Sequence, residues 1–124
     1  MIPEIEKSGW SNSDIKREYP INSRLKSRAD IVLTFEDKPL VIIEIKLIPL
    51  GTKEEVGMQL IRHAHEIKAR YAMVCSGNQN YLIDIEKTKI TKGKLGKFIF
   101  NDFESISKID SIITPDQARG LEDV

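Results

Sequence analysis

Several things are scarce or missing in these 124 residues, and each absence narrows the field. There is one cysteine, Cys75, so no internal disulfide can form, which fits a reducing cytoplasm. It lies in the apolar run YAMVCS and reads as a small buried hydrophobe rather than a reactive thiol. No apolar run approaches the roughly 18 residues that span a bilayer. The N-terminal MIPEIEKSGW lacks the charge-then-apolar pattern of a signal peptide. A cytoplasmic protein without a membrane segment is therefore expected. Net charge is missing too: 19 Lys and Arg balance 19 Asp and Glu. That argues against binding nucleic acid through bulk charge alone. Repeats and low-complexity stretches are also absent.

What is present suits one globular domain, at 40% hydrophobic and 31% charged residues. The charge is unevenly spread. Lys16, Arg17, Arg24, Lys26 and Arg28 cluster against Glu18 alone. Lys87, Lys89, Lys92, Lys94 and Lys97 form a second basic stretch, read as a nucleic-acid contact or as ordinary solvated surface. Acidic residues dominate the C-terminal end.

Local signals predict a short helix over 3–8 ended by Gly9, a turn at 12–14, and an edge strand at 15–21 limited by Pro20. Residues 22–28 read as a basic loop, 31–35 as a strand and 36–39 as a tight turn. Residues 40–48, LVIIEIKLI, form the strongest strand: seven of nine are apolar without alternation, so both faces should be buried. Pro49-Leu50-Gly51 breaks the chain, and Thr52 with Glu55 has capping-box spacing. Val56, Leu60, Ala64, Ile67 and Tyr71 then mark one face of a helix over 53–70. Strands follow at 71–76, 81–85 and 97–100, then a short helix at 103–109 capped by Asn101 or Asp102. The helix after residue 52 would join two parallel neighbouring strands by a right-handed crossover. The fold class is α/β: a mixed sheet with a central crossover helix and flanking helices. Residues 1–113 make a single domain and 114–124 a fraying tail.

Glu44 and Lys46 interrupt the apolar strand, two residues apart and therefore on one face. If Glu36-Asp37-Lys38 is a three-residue loop, Val32 opposes Ile42 and Asp30 opposes Glu44. A one-residue slip would turn Asp30 away. Two carboxylates that close repel unless a cation joins them, and a hard divalent ion such as Mg²⁺ does so. A lysine beside such a site can orient water or stabilise charge on a phosphate. The competing reading is a buried Glu44–Lys46 ion pair with no ligand, since burying charges is costly unless they are compensated.

RADIVLTF at 28–35 followed by PLVIIEIK at 39–46 resembles the PD-(D/E)xK nuclease motif, with Ala29 where the pattern often has Pro. SGW, REYPI, those two strands, GMQLIRHA and YAMVCSGNQNYLID follow in the order of the nuclease domain at the N-terminus of type I restriction enzyme motor subunits. The likeness covers residues 9–85. It implies a restriction-endonuclease-like core in which Asp30 and Glu44 hold Mg²⁺, with Mn²⁺ able to substitute. The carbonyl of Ile45 would add a ligand and Lys46 would assist the attacking water. Gln59 matches the Gln of the family's Q-x-x-x-Y helix motif, whereas His63 stands at the Tyr position. Four apart, these two share a helix face and are placed to meet the site or a phosphate, or His63 is plain helix surface. Glu4 and Glu6, and less so Glu18, are candidates for a first-helix glutamate. Arg24, Lys26 and Arg28 would contact the DNA backbone. The function implied is a Mg²⁺-dependent endonuclease hydrolysing DNA phosphodiester bonds. The alternative is a catalytically silent nucleic-acid-binding or assembly module of a restriction or defence system. A two-fold duplex substrate would suit a homodimer.

Overall fold

The apolar run around Ile42 becomes an inner strand of a six-stranded sheet. The computed structural model describes residues 2–22, 27–46, 53–76, 79–86, 90–92, 98–100 and 106–121. The chain passes through α1 (Ile2–Lys7), a 3-10 turn (Asn12–Asp14), β1 (Ile15–Asn22), β2 (Ser27–Phe35) and β3 (Lys38–Lys46). It continues through α2 (Lys53–Ile67), β4 (Tyr71–Ser76), β5 (Gln79–Asp84), β6 (Ile90–Lys92), β7 (Phe98–Phe100), β8 (Ile106–Ile109) and α3 (Pro115–Ala118). The sheet order is β1-β2-β3-β4-β5-β8, and β6 pairs with β7 apart from it. All neighbours in the large sheet are antiparallel except β3 and β4, which are parallel and joined through α2. This is the mixed α/β sheet with a crossover helix that the sequence predicts.

Two apolar clusters explain why β3 shows no alternation. On one face Ile31, Leu33, Val41, Ile43 and Met73 pack with Ile5 of α1, Trp10, Ile112 and Ile113. On the other Val32, Ile42, Ala72, Val74 and Ile83 pack with Leu60, Ile61 and Ala64 of α2. A strand covered on both sides needs apolar residues at every position. The Leu60/Ala64 stripe is the buried edge of α2, as its spacing implies. The helix stops at Ile67, short of the predicted 70, because Lys68 adopts a left-handed conformation (φ +59°). Among the described residues no helix is long and apolar enough to cross a membrane.

The β2–β3 hairpin corrects one expectation and keeps its consequence. The loop is two residues, Glu36 and Asp37, both at positive φ, as in a type I′ turn. Phe35 therefore pairs with Lys38 and Thr34 with Pro39. The register then shifts, so that Leu33 pairs with Val41 and Val32 with Ile42. One residue saved in the turn is returned as a bulge at Leu40, and the strand beyond has the register that the longer loop would have set.

Two other expectations fail. A short helix is predicted at 103–109, yet residues 106–109 form β8, antiparallel to β5, while Asn101, Asp102 and residues 103–105 lie outside the described residues. The open edge of β5 offers a ladder that outweighs local propensity, and Ile109 packs into the α1-side cluster while Lys108 is exposed. Residues 114–124 read as a fraying tail, yet Pro115–Ala118 form α3. The Thr114 hydroxyl accepts from the Gln117 amide, the Gln117 side chain accepts from the Thr114 amide, and Ala118 is buried. The Pro49–Gly51 break, the Thr52 cap and most of the second basic stretch (Lys87, Lys89, Lys94 and Lys97) lie outside the described residues.

The C-terminal segment is tied to the N-terminal one. The Trp10 indole Nε1 donates to the Ile113 carbonyl at 2.7 Å in a buried setting. Trp10→Phe will lower stability by about 2–3 kcal/mol, from the orphaned carbonyl and the smaller ring together. Urea unfolding checks this as a lower midpoint with unchanged slope.

Cys75 is buried in the α1-side cluster, and desolvation pushes its thiol from an ordinary 9.0 up to about 11. The folded form keeps its proton longer than the unfolded chain does. Its contribution to stability is therefore whole below pH 9.0 and is lost as pH rises towards about 11. The loss is roughly 2 kcal/mol, and Cys75→Ala protein will lack that part of the alkaline decline in unfolding titrations.

Candidate functional site

The ladder between β2 and β3 ends at the pair Ile31 and Ile43. Continuing its register brings Asp30 opposite Glu44 and would make Ala29 the next hydrogen-bonded partner of Ile45. Instead, the Ile45 N–H donates to the Asp30 carboxylate, at 2.9 Å to Oδ2. A side chain has taken the place of the neighbouring backbone, so β2 parts from β3 at this residue. In a strand the N–H and C=O of one residue point to the same side. The Ile45 carbonyl thus faces the side that Asp30 occupies. Glu44 is half-buried. Its neighbours Ile43 and Ile45 pack on the α1 side, so Glu44 lies on the α2 side.

The structure therefore joins Asp30 to the backbone of Ile45, the residue that follows Glu44 on β3. Lys46 continues β3 and pairs with Ser76 of β4, which puts its position on the Glu44 face; its side chain is outside the described residues. Gln59 lies in α2, again without a described side chain. His63 is half-buried on the same helix, and His65 is exposed. Among the described residues no three His, Cys, Asp or Glu side chains form a metal-holding group, so His63 does not join Asp30 and Glu44 as a third such ligand. Arg24 and Lys26 lie outside the described residues. Arg28 is exposed, and its Nη1 donates to the Glu18 carbonyl at 3.4 Å. Glu4 and Glu6 sit on α1, which packs through Ile5 on the sheet face opposite Glu44. Both glutamates are exposed.

Glu18 is the residue that sequence reasoning undervalued. It stands at φ +46° in β1, at the register position facing Asp30. No sequence signal marks it, because glutamate carries no preference for left-handed backbone.

Chemically, two carboxylates and a backbone carbonyl are an all-oxygen donor set. That set suits a hard cation such as Mg²⁺ or Mn²⁺, which is commonly held by one or two carboxylates with water and phosphate oxygens completing the shell.

Residues 5–98 match the family of the type I restriction enzyme R protein N terminus (HSDR_N). The chain belongs to that family. No curated relative matches it. Among solved structures it is similar to a chain described as a fragment of an HsdR subunit of a type I restriction enzyme from Vibrio vulnificus YJ016. The TM-score is 0.63 at 20% identity, over 97% of this chain and 23% of that one. At that identity the likeness is one of fold. The HSDR_N match takes in β1 to β5, α2 and every candidate site residue except Glu4, whereas β8 and α3 lie beyond it.

Proposed function

We propose that this HSDR_N chain is a Mg²⁺-dependent nuclease domain of the PD-(D/E)xK type, with a restriction-endonuclease-like core, that hydrolyses DNA phosphodiester bonds. The observation that carries this reading is the Asp30–Ile45 hydrogen bond at the point where β2 leaves β3. It holds a carboxylate beside the backbone of the residue that follows Glu44. Asp30, Glu44 and the Ile45 carbonyl would hold the ion. When bound, the ion polarises a phosphate oxygen and lowers the pKa of water near it. Lys46, two residues beyond Glu44 on the same strand face, orients the attacking water and offsets negative charge growing on the phosphate. The water oxygen bonds to phosphorus, the bond to the leaving sugar oxygen breaks, and that oxygen takes up a proton. Arg24, Lys26 and Arg28 lie just before Asp30 in sequence and would set the DNA backbone in register. Cutting both strands of a duplex requires two such sites, which a homodimer would supply.

Nicking of supercoiled plasmid by purified protein tests this, with Mg²⁺ or Mn²⁺ required and a chelator stopping it. A second reading is a nucleic-acid-binding or assembly module that keeps the fold without the chemistry. It draws on the described residues, among which no three His, Cys, Asp or Glu side chains form a metal-holding group. Salt-dependent DNA binding with no cleavage under either ion would establish it in place of the first.

A further inference from the structure

The Asp30 carboxylate points where a regular strand would not send it. Side chains on a strand stand roughly perpendicular to the sheet, yet Asp30 reaches across to the Ile45 backbone N–H. The cause lies in a break shared by β1 and β2. Arg17 pairs with Ile31 and Tyr19 with Ala29, and between them Glu18 takes its left-handed conformation opposite Asp30. Residues two apart on a strand normally share a face. Here Ile31 belongs to the α1-side cluster and Ala29 to the α2-side cluster. On β1 the same reversal separates Ile15, in the first cluster, from Tyr19 and Ile21, which pack against the second. Both strands roll over together at Glu18 and Asp30.

A left-handed residue that carries a Cβ is disfavoured and persists only where its surroundings hold it. The contact that holds this one is at hand: the Arg28 guanidinium donates to the Glu18 carbonyl. We infer that Glu18 and Arg28 are positioning residues for the candidate site. Glu18 rolls β2 over at Asp30, Arg28 holds the roll, and the Asp30 carboxylate is thereby laid into the sheet edge against Ile45. The functional weight of this device rests on the nuclease reading above; the roll itself does not.

Amide hydrogen exchange, read by NMR on the whole chain, separates the two. Glycine accepts φ +46° without strain, so Glu18→Gly should leave the Ile45 amide exchanging within about threefold of wild type. Valine resists that conformation, so Glu18→Val should speed exchange at Ile45 about tenfold or more while the Ile43 amide keeps its rate. Arg28→Met should speed Ile45 selectively as well, and it serves if Glu18→Val does not fold. Wild-type exchange at Ile45 in Arg28→Met and in any folded Glu18→Val protein overturns the inference. So does equal acceleration along all of β3, which marks general loosening. In parallel, Mn²⁺ affinity should weaken in step with the Ile45 amide. A wild-type protein that binds no Mn²⁺ removes the nuclease reading, while the exchange rates still decide the roll.

Discussion

Lys46→Ala protein will cleave plasmid DNA at least about a hundredfold more slowly than wild type, because a positioned proton-transfer group contributes about 10²–10⁴ in rate. The backbone of β3 carries the expectation. Lys46 pairs with Ser76 in the parallel β3–β4 ladder, so its position relative to Glu44 is set by the strand pleat. The substitution removes a positive charge two residues from Glu44 on β3 and none of the proposed metal ligands. Mn²⁺ affinity should therefore hold or rise slightly while the rate collapses. That split separates Lys46 from a residue needed only for folding, which would change both together. Lys46→Arg keeps the charge but cannot give up its proton, and it should remain slow if proton handling is what matters. Equal cutting by wild-type and Lys46→Ala protein would place the activity elsewhere or in a contaminant.

Asp30→Asn will have a comparable effect by a different route. The asparagine carbonyl oxygen can still accept the Ile45 N–H, so stability should change by no more than about 1 kcal/mol. What disappears is one of the two negative charges that favour a cation. Mn²⁺ affinity should fall by about a hundredfold or more, which corresponds to about 2.7 kcal/mol, and cleavage should go with it. Glu44→Gln should match it. Calorimetry with Mn²⁺ alone checks both without reference to DNA. Unchanged Mn²⁺ binding in both variants would return Glu44 and Lys46 to the status of an ion pair in a core strand.

The legible parts of this molecule are those where one periodicity dominates. The apolar run at Val41–Ile43 announces a strand buried on both faces, and the Leu60/Ala64 stripe announces a helix packed on a sheet; both are as the structure has them. The register of β2 against β3 at Val32 and Ile42 is legible for a less secure reason. The turn is one residue shorter than the sequence suggests, and the Leu40 bulge cancels the error. Ile106 to Ile109 misleads because the open edge of β5, not local preference, decides its state. The Thr114 capping box is written in the sequence, but so few apolar residues surround it that the burial of Ile112, Ile113 and Ala118 cannot be anticipated. The roll at Glu18 and Asp30 is the least legible feature, since it depends on two strands breaking step together and no residue type signals it.

The bond between Trp10 and Ile113 joins positions 103 residues apart. Contacts that distant form late, because the whole intervening chain must be closed into a loop first. On a ribosome, Ile5 and Trp10 emerge about a hundred residues before Ile112 and Ile113, which pack in the same cluster. Until those later residues emerge, that apolar face lacks part of its cover. The order of manufacture thus runs opposite to the order of need, and this stretch of the molecule is where a chaperone would find its first hold.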